Sequence, residues 1–177
     1  MTPRAAQGLY VLAREPELSR MLSWPPHEGV EDSLEFIHDA RELWARRAAW
    51  LAGVFDVATG QLVGCIGLSG IDRANERAEV GTWIGLPFQR GGVNRYAKAG
   101  VVAVGFEVLG LRRLEFLVRV DNEASLRAMR GLPGVREEGV LAERIVQRGE
   151  AHDAVAFALL RSEYDSAAWP RVTVDVG

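Results

Sequence analysis

The chain has 177 residues, 48% of them hydrophobic, which suffices for one domain with its own core and excludes a disordered chain. A net charge of −3, with no block of like charges, excludes an electrostatic grip on nucleic-acid phosphates. The single cysteine excludes an internal disulfide, and no run of about 20 apolar residues marks a membrane span, so the expected compartment is the cytoplasm.

No repeat or linker divides the sequence, and residues 1–177 are expected to form a single domain. The opening stretch TPRAAQGLYVLAREPELSRMLSW sets Leu9, Leu12, Leu18 and Leu22 among polar residues, predicting helical segments broken near Pro16 and ended by the prolines of WPPH. In VEDSLEFIHDARELWARRA, Leu34, Ile37, Ala40 and Trp44 recur at helical spacing, with Glu31 and Asp32 at the end where the helix dipole favours negative charge. From Trp50 the period changes. WLAGVFDV, LVGCIGLSGI and AEVGTWIG, separated by ATGQ and DRANER, predict three antiparallel strands in a meander. Cys65 falls in the second, where a buried structural thiol fits better than a nucleophile. His27, His38 and His152 lack metal-ligand spacing, so no metal is expected.

QRGGVNRYAK follows, ahead of an apolar run. Val93, Ala97, Val101, Val104 and Val108 form one helical face and Val102, Phe106 and Leu109 another, predicting a nearly buried helix that Gly110 stops. The unpaired amides of its first turn, together with the dipole, favour an anion. Gly91 and Gly92 permit positive φ and close backbone approach, and Asn94 tolerates the same geometry. The stretch is neither a Walker loop, since the lone Lys98 lies four residues past Asn94, nor a GxGxxG fingerprint, since its glycines are adjacent. These residues alone allow either a phosphate site or a tight strand-to-helix turn. RRLEFLVRV then alternates as a strand, with Leu114, Phe116, Val118 and Val120 on one face. EASLRAMRGL reads as a short helix, and GVLAERIVQ and DAVAFALLRS as a hairpin across RGEAH. The succession is that of a mixed α+β domain.

The stretch WIGLPFQRGGVNRYAKAGVVAVGFEVLGLRRLEFLVRVDNEASLRAM resembles the core of the GNAT superfamily of acyl-CoA-dependent N-acetyltransferases. That family carries Q/R-x-x-G-x-G/A between strand and helix, and Gln89, Gly92 and Asn94 fall on its defined positions, Asn94 departing from the usual small residue. The V-N and A-K pairs, with DNEAS and LLRSEY further on, are similar to the RimJ/RimL-like branch that acetylates protein amino termini. The resemblance runs from about Ala5 to Tyr164 and implies a mixed sheet of about six to seven strands flanked by helices.

It also implies the co-substrate and its site. Acetyl-CoA would lay its pyrophosphate over the amides of Arg90, Gly91, Gly92, Val93 and Asn94, with Arg90 or Arg95 adding charge-assisted bonds unless they are merely solvated. The strand before the loop is expected to splay from its neighbour, so that the pantetheine arm meets Trp83, Ile84 and Gly85. Glu79 resembles the branch's general base, acting through a water, with Glu76 as competitor. The tyrosine that many relatives use as general acid is replaced by Met129; Asn122 is implied for the pantetheine arm and Ser125 for the cofactor sulfur. An N-cap is the ordinary use of this Asp-Asn pair, and Asp121 is expected to cap while Asn122 binds.

The sequence starts almost at the first helix, so the strand with which the family usually begins is expected to be absent or replaced. The extension over residues 165–177, in which Val172, Val174 and Val176 alternate, is either a replacement strand or a loose terminus. Trp24, His27, Trp44 and Trp83 either wall an acceptor site or, as aromatics more often do, fill the core. The function implied is direct acetyl transfer to a primary amine, a protein or peptide amino terminus foremost. The alternatives are a small-molecule amine acceptor or a non-catalytic acyl-CoA sensor. A homodimer is the expected assembly, with neither nucleic acid nor membrane as partner.

Overall fold

The computed structural model describes residues 1–173. Two short helices open it, α1 (Ala6–Ala13) and α2 (Pro16–Ser19), with Pro16 starting the second where its missing N–H costs nothing. α3 (Val30–Ala45) begins at Gly29, where the Asp32 carboxylate accepts the Glu28 and Gly29 amides at 2.6 and 3.3 Å. Those two N–H bonds hold Asp32 below the usual carboxylate range. Its buried stripe is Ser33, Ile37 and Ala40 rather than the expected Leu34 line. Leu34 is 41% exposed because hydrophobic spacing alone fits two adjacent stripes, and packing against α1 selects the one with small residues.

Strands β1 (Trp50–Phe55), β2 (Leu62–Asp72) and β3 (Arg77–Ile84) form the predicted antiparallel meander. α4 (Val93–Ala103) leads into a π turn over Val104–Val108, then β4 (Arg113–Arg119), α5 (Glu123–Arg130) and the hairpin of β5 (Arg136–Gln147) and β6 (Glu150–Leu160). The sheet order is β1-β2-β3-β4-β6-β5, with β3–β4 the parallel pair. Among the described residues this makes six strands.

Two apolar clusters sandwich the sheet. Ile66, Leu68, Val80, Leu114, Phe116 and Phe157 pack against α4 and α5, whereas Leu62 and Cys65 meet Leu9, Leu12 and Ile37 of α1 and α3. Successive strand residues face opposite ways, so adjacent Cys65 and Ile66 serve different layers. The helix after the glycine loop is not regular to its end. Leu109 donates to Val104 five residues back, a widened turn placed where Gly105 lies against Leu114. The extra residue turns Val108 outward to 43% exposure, correcting the expectation of a buried face through that position. Val120, one residue past β4, is likewise exposed.

Residues 165–173 dock without extending the sheet. Residues 171–173 carry no strand, and Val174 and Val176 of the expected replacement strand lie outside the described residues. Trp169 is 4% exposed and packs on Tyr164, which in turn meets Phe106.

Candidate active site

Strands β3 and β4 pair only from Arg77–Glu79 against Arg113–Glu115; from Val80 to Ile84, β3 has no partner in β4. The expected splay is therefore present, and Glu79 stands at its root. Ala78 and Val80 point into the α4 layer, so by strand alternation Glu79 and Trp83 share the opposite face, about 13 Å apart along the strand. Burial raises the Glu79 carboxyl above its ordinary range; Arg144 opposes that shift and Glu115 adds to it. Glu115 itself is engaged by Arg113 at 2.7 Å and Arg77 at 3.4 Å. Glu76 sits elsewhere, in the β2–β3 turn at φ 51, where its carbonyl accepts the Arg112 amide at 2.7 Å and its carboxylate pairs with Arg112 at 3.7 Å.

The glycine loop runs from the end of β3 through a single 3-10 turn (Leu86–Phe88) to α4. Gln89 folds back, its side-chain amide donating to the Ile84 carbonyl at 2.9 Å, while the Gly85 amide donates to Val63 at 2.8 Å. Gly92 caps α4 at φ 80, a conformation that favours glycine, and a Cβ there would meet nothing within 4 Å. The second left-handed residue is Arg90 at φ 67, not Gly91; Asn94 lies in the helix and not in the positive-φ region. The cause is local. One reversal before the cap and one at the cap turn the chain from strand to helix, so neither flanking residue has to reverse.

Asn94 has another occupation. Its Oδ1 accepts a hydrogen bond from Lys98 Nζ at 2.7 Å, one helical turn on, and Lys98 is 5% exposed. The side chains of Arg90 and Arg95 are exposed and form no ion pair among the described residues. This helix end therefore offers the amides of its first turn, two exposed arginines next to them in sequence and a buried lysine one turn on, groups that suit a phosphate-bearing ligand.

Past β4, Asn122 rather than Asp121 caps α5: its Oδ1 accepts the Ser125 amide at 3.1 Å, and Asp121 instead pairs with Arg119 at 2.6 Å. Arg119 is fixed at the strand end, and its guanidinium draws Asp121 away from the helix. Asn122 and Ser125 are half-buried. Met129, at the place of the absent tyrosine, is fully buried in the core and offers no proton.

On the other side of the sheet, Trp24, His27, Phe36 and Trp83 gather, with Trp24–Trp83 ring centres 5.7 Å and Trp24–His27 ring centres 5.4 Å apart. Burial pushes the His27 imidazole below its ordinary value, and its Nδ1 lies 2.7 Å from Ser33 Oγ. The rings close over Leu9 and Ala13 and leave no water-sized space. Trp44 is not among them. It is half-buried at the C-terminal end of α3 and stacks under Arg47, whose guanidinium lies 4.3 Å from its ring centre.

A residue that sequence reasoning passed over is Gln147, also 5% exposed. Its amide nitrogen donates to the carbonyls of Ser19, Arg20 and Leu22, and Arg119 donates to its Oε1, tying the hairpin to the loop before Trp24. A glutamine at a strand end carries no signal that would have marked it. Cys65 is 3% exposed, its thiol pushed up to about 12 by burial, so it holds no thiolate near neutrality. Cys65→Ala should leave kcat/KM within about twofold, checked by CoA release.

Residues 1–132 match the model of the acetyltransferase (GNAT) domain family. YdaF of Bacillus subtilis, provisionally named a ribosomal N-acetyltransferase, is 34% identical over 69% of this chain and 67% of its own. YoaA of the same organism, an N-acetyltransferase by name, is 27% identical over 91% of this chain and 90% of its own. The crystal structure of the microcin C7 self-immunity acetyltransferase MccE with acetyl-CoA and AMP superposes with a TM-score of 0.79 over 90% of this chain and 88% of its own; at 24% identity the likeness is one of fold. With the splayed sheet and the loop-to-helix turn in place, the chain belongs to the GNAT family and is an acetyltransferase that uses acetyl-CoA.

Proposed function

We propose that the protein passes the acetyl group of acetyl-CoA directly to the amino terminus of a protein or peptide. The observation that carries this reading is the parting of β3 from β4 immediately after Glu79, which leaves a half-buried carboxylate at the point where the two strands separate. The pyrophosphate would rest on the amides of Arg90 to Asn94 at the head of α4, with Gln89 keeping the loop closed onto Ile84. The pantetheine arm would run along Trp83, Ile84 and Gly85 toward Asn122 and Ser125. Since the Ile84 carbonyl and the Gly85 amide are engaged, the backbone of residues 80–83 is the better partner for it.

The chemistry is then short. Glu79 takes a proton from the incoming ammonium, directly or through one water, and the neutral amine nitrogen attacks the thioester carbon. A C–N bond forms, the C–S bond breaks, and the second proton shed by the nitrogen goes to the departing CoA thiolate near Ser125, which leaves as the thiol. An α-amino group, with a pKa of about 8 against about 10.4 for lysine, needs only a weak base, which a carboxylate raised by burial can supply. YdaF's name supports a protein acceptor.

The test is to supply acetyl-CoA with a peptide that contains lysine and a free amino terminus, and to locate the acetyl group by mass spectrometry. Acetyl on the α-amino group is the expected result. Modification only of lysine, or only of small amines such as spermidine, would overturn the acceptor assignment. In the same assay format, Gly92→Glu should raise the Kd for acetyl-CoA at least about tenfold, since it places a side chain at φ 80 and a carboxylate at the anion patch.

A further inference from the structure

We infer that Lys98 is the buried counter-charge for the cofactor's diphosphate, held at the head of α4 by Asn94. This rests on the reading that acetyl-CoA binds at that helix end, and it assigns a residue that the loop's glycines and arginines do not account for.

Lys98 lies on the second turn of α4 and is 5% exposed. Long side chains on a helix lean toward its N-terminus, and this one does: Nζ meets Asn94 Oδ1 at 2.7 Å, level with the first turn. An ammonium has three donors, and among the described residues Asn94 receives the one side-chain hydrogen bond that Lys98 makes. No Asp or Glu lies within 4.0 Å of it among the described residues. A buried cation without an anion is costly, and such groups are ordinarily paired. Here the missing anion is supplied from outside, at the amides one turn away.

Asn94 makes the arrangement directional. Because its oxygen faces the ammonium, its NH2 group faces away from the lysine, and a donor there complements an anion. Half-buried Asn94 thus joins an interior charge to an open surface. Burial lowers Lys98 to about 8, so near neutrality the ammonium is still the dominant form. The asparagine at the family's small-residue position and the only lysine of the chain are therefore one device, four residues apart.

The experiment is titration calorimetry of acetyl-CoA into wild type, Lys98→Met, Asn94→Ala and the double variant, with a melting curve for each. Lys98→Met should bind acetyl-CoA about tenfold or more weakly while its ligand-free Tm is unchanged or higher, because a buried charge has been removed. The double variant should lose little beyond either single one. If folded Lys98→Met binds within twofold of wild type, or loses Tm and affinity together, the proposal fails. Should Lys98→Met not fold, Lys98→Gln decides by the same criteria. If wild type itself does not bind acetyl-CoA, the cofactor reading falls with it; unaffected binding by the variants sinks only the role of Lys98.

Discussion

Glu79→Gln lowers kcat/KM about 100-fold and leaves the Kd for acetyl-CoA within twofold. A positioned general base contributes roughly 10²- to 10⁴-fold, and the low end applies because an α-amino group is already partly neutral near pH 8. Binding survives because Glu79 faces away from the α4 layer, whereas the loop proposed to receive the phosphates lies at the opposite end of β3. The pH profile carries a second signature. In the wild type, kcat/KM rises as Glu79 loses its proton, at a pH above the ordinary carboxylate range because burial favours the neutral form. In Glu79→Gln that limb disappears and only the limb from the amine itself is left. Stability moves oppositely. A carboxyl whose folded pKa is raised stabilises the fold fully below its unfolded pKa and loses that contribution as pH rises through the folded value. Near neutrality the ionised, half-buried carboxylate is a liability, so Glu79→Gln should melt slightly higher than wild type at pH 7 and not at pH 4. A variant with unchanged kcat/KM would remove Glu79 from the mechanism and direct attention to a base on the acceptor side.

Trp169→Ala destabilises the protein by about 3–5 kcal/mol, the range for truncating a buried large aromatic, and lowers Tm by roughly 10 °C. Trp169 belongs to the same cluster as Phe106 and Leu114 and stacks on Tyr164, whose hydroxyl reaches Glu107 at 3.4 Å. The tail is thereby clamped over the widened end of α4. Trp169 also carries a buried indole N–H without a hydrogen-bond partner among the described residues. Phenylalanine removes that unsatisfied donor along with some volume, so Trp169→Phe should cost far less than Trp169→Ala and less than half of its Tm loss. Equal losses for the two variants would mean that the N–H is satisfied in solution.

Much of this architecture is legible in the sequence because it follows from short-range pattern. The strands near Cys65 and Leu114 show their period directly, and WPPH and Gly110 punctuate the helices by steric rules that hold in any context. The loop at Gly92 is recognisable for the same reason: a residue at φ 80 selects glycine locally. Where two patterns compete, the sequence is ambiguous. Leu34 and Ser33 lie on neighbouring stripes of α3, and only the helix packed alongside decides which is buried. Asp121 and Asn122 are both good caps, and the choice between them turned on Arg119, fixed by its strand and claiming the aspartate.

The chain by itself determined the family, the succession of elements and the place of the glycine loop, since these reside in local chemistry and contiguous motifs. The tertiary structure alone decided that Glu79 and not Glu76 stands at the root of the splay. It likewise decided that Gln147 ties the hairpin to the loop before Trp24, that Trp169 is a core residue, and that Lys98 is buried against Asn94. Burial and pairing are properties of residues brought together from distant parts of the chain, and the charge state of a carboxylate or an ammonium follows from how much water that assembly removes.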